Sequence, residues 1–165
     1  MAPAAEPPAA SAGPPPAHPR AAAAPPPAAR GVRRVGACPV CELSQQPDFA
    51  EHVHAWRRHF AGAPAPDRVE IGVAACSHHC NATLVHEIAV VARRHGYSIA
   101  VGGKADGIPS VARWLVEGIP AEQVEPAVAH VLDVYRRLAR GRERLSRVVA
   151  RVGVEPFLPP GMGPE

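Results

Sequence analysis

The sequence predicts an α+β fold, in which a small mixed sheet is covered by helices and followed by a helical C-terminal third. Residues 68–75 begin by alternating apolar and polar side chains, as a half-buried strand does. Residues 87–101 contain two short apolar runs around an Arg-Arg-His-Gly turn, which predicts a hairpin. After residue 108, apolar side chains recur at helical spacing to residue 152.

The N-terminal segment is unlike a folded one. Its first 30 residues include 10 prolines and 13 alanines and no aromatic side chain. This composition buries too little apolar surface to offset the entropy of ordering, so residues 1–34 are predicted to be a disordered tail. We expect one folded domain over residues 35–157 and a flexible C-terminus over residues 158–165.

Charge and hydropathy exclude several classes of function. The net charge of +3 arises in the tail, where four arginines face one glutamate, so the remaining chain is nearly neutral. That balance argues against a nucleic-acid surface on the folded part. We find no secretory signal and no apolar run of about 18 residues, and we expect a cytoplasmic protein. Close cysteine pairs in that compartment more often bind metal or do redox work than form structural disulfides.

The first half of the chain is predicted element by element. Residues 31–36 are a basic linker. Residues 47–60 form a helix with one apolar stripe, for which Asp48 is a plausible N-cap and Gly62 a plausible stop; the stripe consists of Phe49, Val53, Trp56 and Phe60. The strand at 68–75 runs into a polar turn, and one or two helical turns follow at residues 81–86.

The second half continues from the hairpin into Gly102-Gly103-Lys104. This segment could accept a cofactor carboxylate or another anion, or it could be a strand-end turn that needs glycine dihedrals. Three helices are then predicted, at residues 108–117, 120–140 and 142–152. Trp56, Trp114 and Tyr135 are expected in the core. The arginines of residues 136–144 are expected to be solvated, or to dock an acidic electron donor.

Four cysteines, the only ones in the chain, form the clearest functional pattern. Cys38 and Cys41 make a C-x2-C pair, and Cys76 and Cys80 make a C-x3-C pair 34 residues later. Thiolates are soft anionic ligands that can converge on one metal centre, and two close pairs are an economical source of four. The spacing favours an iron–sulfur cluster over zinc, with redox use or no site as further alternatives. His78 and His79 could replace a thiolate, tune a site, or simply be turn residues.

Several segments resemble one known family. The run Val69 to Ala82, an apolar strand entering Cys-Ser-His-His-Cys-Asn-Ala, is similar to the second cluster motif of sulfite and nitrite reductases that bind sirohaem and a [4Fe-4S] cluster. The segments 87–92 and 96–104 resemble the family's next strand and its Gly-Tyr…Gly-Gly segment. Residues 107–124 and 141–154 resemble its later helix starts and its last helix. The first pair differs, because the family usually has C-x5-C there.

The resemblance implies specific roles. Cys38, Cys41, Cys76 and Cys80 would ligate one [4Fe-4S] cluster, and Cys80 would also bridge it to sirohaem iron. The cofactor-binding residues would further include Asn81, Gly102, Gly103 and Lys104. The implied chemistry is reduction of sulfite or nitrite, together with a partner reductase subunit or an electron donor such as ferredoxin. A lone cluster domain is not expected to complete the reaction. The alternative function is a zinc-stabilised binding module that uses the same cysteines.

Overall fold

The computed structural model describes residues 30–162. It contains one five-stranded mixed sheet in the order β1-β2-β3-β4-β5, and three α-helices. The α+β prediction is therefore confirmed. The strands are β1 Gly31–Ala37, β2 Arg68–Ala74, β3 Ile88–Arg93, β4 Gly96–Val101 and β5 Arg113–Ile119; the helices are α1 Phe49–Phe60, α2 Ala121–Leu138 and α3 Leu145–Val152, with 3-10 turns at Thr83–Val85 and Glu155–Phe157.

The pairing pattern gives the sheet two distinct ends. β1, β2 and β3 run parallel, whereas β4 and β5 are each antiparallel to the strand before them. Because parallel strands finish at the same edge, the segments after Ala37 and Ala74 emerge side by side. We call this edge the cysteine end. The starts of β1, β2 and β3 and the end of β4 lie at the opposite edge.

The three helices cover one face of the sheet. Alternate residues of β2, β3 and β4 point into this main core, where they meet the apolar stripes of the helices. Trp56 of α1 and Tyr97 of β4 pack edge to face with ring centroids 5.1 Å apart, and His52 bonds the Tyr97 hydroxyl at 2.8 Å. The other face holds a much smaller cluster of Ala89, Ala100 and Ala112, with Leu84 packed against it. The sheet that carries the cysteine loops is therefore packed mainly on one face.

Two predicted elements are wrong. The expected linker at 31–36 is strand β1, and the expected helix at 108–117 is a loop followed by β5. A bulge between Val32 and Arg34 interrupts the alternation of β1, so its period of two is hidden in the sequence. The four-residue spacing of Val111, which precedes β5, and Leu115, which lies in it, imitates a helix. As a result Trp114 lies on a strand and is 37% exposed, rather than in the core.

The remaining elements agree with the sequence. The strand, the hairpin and the helices near 47–60, 120–140 and 142–152 all form, with ends within a few residues of those expected. Leu158 and Met162 pack against the main core, although a loose end was expected there. Residues 1–29 of the tail predicted over 1–34, and the last three residues of the chain, lie outside the described part, whereas residues 31–34 belong to β1. No helix within residues 30–162 has the length and apolarity needed to span a membrane.

Candidate metal centre

Strands β1 and β2 deliver one cysteine from each pair to the same place. The Cys38 N–H donates to the Val73 carbonyl oxygen at 3.1 Å, which continues the parallel ladder past the end of β1. The backbone N–H of Ala75 in turn donates to the Cys38 thiol sulfur at 3.1 Å. Cys38 therefore lies directly against the backbone that leads into Cys76. The sheet register brings together two cysteines that are 38 positions apart in the chain.

Hydrogen bonds hold both cysteine loops against the sheet. The Gln45 N–H, just beyond Cys41, donates to the Ala75 carbonyl oxygen at 2.8 Å. The Asn81 side-chain amide donates to the Val73 carbonyl oxygen at 3.0 Å, and the Thr83 hydroxyl donates to the Asn81 side-chain oxygen. Asn81 thus anchors the loop that carries Cys76 and Cys80, so its contacts in this structure are with the protein itself.

The four thiols differ in exposure. Cys76 is buried and Cys38 is half-buried, whereas Cys41 and Cys80 are exposed, and all four are free thiols. Within residues 30–162, no three side chains of histidine, cysteine, aspartate or glutamate lie close enough to form a single-ion site. Each of the two adjacent loops thus carries one cysteine that is at least partly buried, Cys38 or Cys76, and one that is exposed.

The loop between Cys76 and Cys80 has an unusual backbone. His79 and Ala82 both adopt positive φ angles, of 50° and 53°, which residues other than glycine seldom adopt, although histidine does so more often than alanine. The His79 Nδ1 atom is buried without a hydrogen-bond partner. Desolvation, followed by the charge of Arg93 and the neighbouring His78, lowers the His79 pKa. Strained backbone and an unsatisfied polar atom are features that cluster at functional sites.

Three further side chains surround this loop. The His78 Nδ1 atom lies 3.5 Å from the Cys76 sulfur. The Trp114 ring lies 6.5 Å from the His79 ring, and the Arg93 guanidinium stacks over Trp114 at 5.0 Å. Trp114 and Arg93 come from β5 and β3, and no sequence motif marks them. Only the pairing of these strands through β4 places them beside the cysteine loop.

The Gly102-Gly103-Lys104 segment lies just beyond the end of β4. It follows β4, whose last residue pairs with Ile88 at the start of β3. The last residue of β4 is level with Ile71 in the middle of β2, and Gly103 packs against the backbone of Leu84 and His86, which follow Cys80 in the chain. The Gly102 N–H bonds the Glu87 carbonyl oxygen at 2.9 Å, and Lys104 makes a backbone bridge to Ser110. In this structure the segment is a strand-end turn.

Comparison with known protein families identifies the family to which this chain belongs. Residues 28–159 match the model of the nitrite and sulphite reductase 4Fe-4S domain. The chain belongs to that family. The resemblance inferred from the cysteine motifs is therefore confirmed, and the match covers the whole described sheet with its three helices. It gives no support to the zinc-stabilised binding module.

Individual relatives are more distant. An assimilatory-type sulfite reductase of Nitratidesulfovibrio vulgaris is 26% identical over 127 residues, which is 75% of this chain and 58% of that protein. A cobalt-factor III methyltransferase of Priestia megaterium is 23% identical over 119 residues, which is 72% of this chain and 22% of that protein. The NirA protein of Mycobacterium tuberculosis superposes with a TM-score of 0.64 at 20% identity, over 77% of this chain and 26% of that one. The chain thus spans little more than half of the sulfite reductase and much less of the other two.

The residues present fit the iron–sulfur cluster that the family name implies. Two cysteine pairs leave neighbouring parallel strands at the same edge, and the Cys38 sulfur lies against the residue before Cys76. Thiolates are the usual ligands of such clusters, and N–H donors to their sulfurs tune the potential. The Ala75 N–H is already such a donor. All four cysteines are therefore suited to this cofactor in kind, and the sheet also brings Cys38 against the backbone that leads into Cys76.

Proposed function

We propose that Cys38, Cys41, Cys76 and Cys80 hold one [4Fe-4S] cluster, and that the protein is the cluster-bearing part of a reductase that acts on sulfite or nitrite. One observation carries the proposal: the sheet register places both cysteine pairs at one edge, with the Cys38 sulfur accepting the Ala75 N–H. Membership of the nitrite and sulphite reductase 4Fe-4S domain family supports the identity of the cofactor.

The protein's own groups would define the environment of the cluster. When bound, a cluster of this kind accepts and passes on single electrons. The Ala75 N–H stabilises negative charge on the Cys38 sulfur, because a donor aimed at a thiolate offsets its charge. The Asn81 and Gln45 bonds hold both cysteine loops against the end of β2, so the two loops are fixed beside one another. Burial of Cys76 limits access of water to that side.

Cys80 is the candidate for a second role. It is exposed, whereas Cys76 in the same motif is buried, so its sulfur remains accessible from outside the loop. We propose that Cys80 bridges the cluster to a sirohaem iron, whose macrocycle would perform the bond-breaking chemistry. The reaction would then take place in the cytoplasm, together with a partner reductase subunit and an electron donor such as ferredoxin.

Anaerobic reconstitution of the full chain with ferrous iron and sulfide tests the cluster. We expect a brown protein with broad absorption near 400 nm and about four iron atoms per chain. Cys76→Ser should lose most of this iron, since it removes the most sheltered thiolate. Ser77→Ala is the matched control, because it alters the exposed neighbouring residue and leaves all four thiols in place.

Reconstitution with sirohaem then tests the bridge. Wild-type protein should change the absorption spectrum of the haem, and Cys80→Ser should lose that change. A reconstituted chain that stays colourless and holds no iron would refute the cluster proposal. A chain that holds the cluster and gives the same sirohaem spectrum with and without Cys80 would refute only the bridge.

A further inference from the structure

The geometry points to a second binding site, at the opposite end of the sheet from the cysteines, for a compact oxyanion with three or more negative charges, such as a polyphosphate or a polycarboxylate. The observation is a cleft of about 890 Å³ in which seven of the eleven lining residues are basic. We call it the basic cleft; it is bounded by the starts of β1 and β2, the turn after β4 and the start of α3. This inference is independent of the proposed function.

The basic cleft draws its charge from four separate segments. Arg30 and Arg33 come from the start of β1, Arg68 from the start of β2, and Lys104 from the turn after β4. Three more arginines come from residues 142–147, at and before the first turn of α3. Seven cations thus face two carboxylates, those of Asp67 and Asp106, which leaves a formal excess of five positive charges.

The two carboxylates engage only part of this charge. Asp106 pairs with both Arg68 and Arg144, and Asp67 lies 3.8 Å from Arg142. The hydrogen bond from Arg144 lowers the pKa of Asp106, so this carboxylate remains ionised and holds two arginines in place. Among the residues that the structure describes, no carboxylate pairs with the other four cations, which are Arg30, Arg33, Lys104 and Arg147.

The lining selects the chemical class of the ligand. All its side chains other than the glycine are charged or, for Ser146, hydroxylic, and none is aromatic or aliphatic. A nucleobase or a tetrapyrrole would need an apolar or stacking wall, which this lining does not supply. Arginine forks bind phosphate and carboxylate oxygens in pairs, so a ligand with anionic groups on all sides fits best. The volume lies in the usual range for ligand clefts and exceeds the needs of a single small anion.

The basic cleft is also physically separate from the cysteines. Arg68 begins β2 and Cys76 follows its end, so the strand separates them by about 20 Å. At this distance a bound oxyanion cannot contact the cysteine loops. The cleft is therefore a site of its own.

Isothermal titration calorimetry of the full chain at constant ionic strength tests the site. Tripolyphosphate should bind saturably, and roughly tenfold more tightly than orthophosphate, because several paired oxyanion contacts add. Citrate distinguishes polycarboxylate from phosphate specificity within the same class. The double variant Arg33→Gln/Arg147→Gln should weaken tripolyphosphate binding roughly tenfold or more. Both arginines are exposed, so the fold should tolerate the change, which circular dichroism verifies.

Arg58→Gln on α1 provides the control, since it removes an exposed arginine that does not line the cleft. It should change the affinity less than twofold. Titrations that never saturate for tripolyphosphate and citrate would overturn the proposal, and so would an equal loss of affinity in the Arg58 variant, which would indicate general attraction to a basic chain. Either result would leave the cluster proposal untouched, because that proposal is tested by iron content.

Discussion

The two ends of the sheet carry charge and chemistry that are assembled in different ways. At the cysteine end, four thiols come from two short motifs, and β1 and β2 lead directly into the first cysteine of each motif. At the basic cleft, seven cations come from four segments that are spread over residues 30–147. Each cysteine pair is a local motif, and pairing of β1 with β2 brings the two pairs to one edge, whereas the cleft needs four segments to come together.

Different interactions stabilise the two ends of the sheet. The cysteine loops are tied by specific hydrogen bonds, such as those of Asn81 and Gln45, and they contain residues with strained backbone. The cleft is held by ion pairs around Asp106 and otherwise concentrates like charges. Like charges in a shared cleft repel one another, so a bound anion would relieve that repulsion. The two ends should consequently respond independently to substitution.

The largest expected effect is loss of the cluster without any change at the other end. Cys38→Ser removes the thiolate that accepts the Ala75 N–H, and iron content after reconstitution should fall from about four to below about one per chain. Tripolyphosphate affinity of the same variant should change less than twofold, since β2 separates the two sites. Iron analysis and calorimetry on one preparation measure both.

Cys41→Ser refines this result, because Cys41 belongs to the C-x2-C pair, where the family usually has C-x5-C. Equal loss of iron in both variants would mean that the short loop still supplies two ligands. Full iron content in Cys41→Ser would contradict the four-cysteine cage. A large loss of tripolyphosphate affinity in either variant would contradict the independence of the two ends.

The contrast also explains how far the sequence could predict the molecule. The apolar stripe of α1, the hairpin of β3 and β4, and the cysteine pairs are local patterns, so they were predictable. The bulge at Val32 and the helix-like spacing of Val111 and Leu115 concealed β1 and β5. The position of Gly102-Gly103-Lys104 depends on which end of the sheet β4 reaches, and that is a property of strand order. The cleft arginines are too dispersed to form a motif.

The second expected effect, of intermediate size, concerns the Gly102-Gly103-Lys104 turn. A Cβ at Gly103 would overlap the carbonyl oxygens of Leu84 and His86, which are backbone atoms and cannot rotate away. Gly103→Ala should therefore lower the free energy of unfolding by about 2–3 kcal/mol, measured by urea denaturation. Gly36→Ala is the control, because a Cβ there meets only the flexible side chain of Arg34. Equal stability of the two variants would refute the packing argument.

Lys104→Gln removes the positive charge of the same turn without changing its glycines. It should weaken tripolyphosphate binding several-fold, since its ammonium group lines the cleft, and it should leave iron content unchanged. Lower iron content in this variant would instead support a contact between Lys104 and the cluster or haem, as the family resemblance implied.

The smallest expected effect concerns Glu87, a buried carboxyl group between the turn and β3. It is 7% exposed, and one of its oxygens accepts the Glu70 N–H at 3.0 Å. Desolvation raises its pKa above the ordinary 4.5, with the Glu70 and Glu87 N–H groups and then Arg144 opposing the shift, and the Glu70 charge adding to it. The folded protein therefore keeps this proton to a higher pH than the unfolded chain does. The resulting contribution to stability is fully present below pH 4.5 and is lost as the pH rises through the folded value.

Glu87→Gln keeps an oxygen that can accept the Glu70 N–H and removes the titration. The variant should match wild type near pH 4 and become the more stable of the two by pH 7, by less than about 1 kcal/mol. Urea denaturation across that pH range measures the difference, and Glu117→Gln, an exposed carboxylate on β5, controls for the change in net charge. A difference that is constant with pH would show that Glu87 acts only through its hydrogen bond. A difference that grows with pH would show that the end of the sheet with the basic cleft also holds a buried carboxyl group whose ionisation lowers stability. The two ends of the sheet would then differ in their buried titratable groups as well as in their exposed ones.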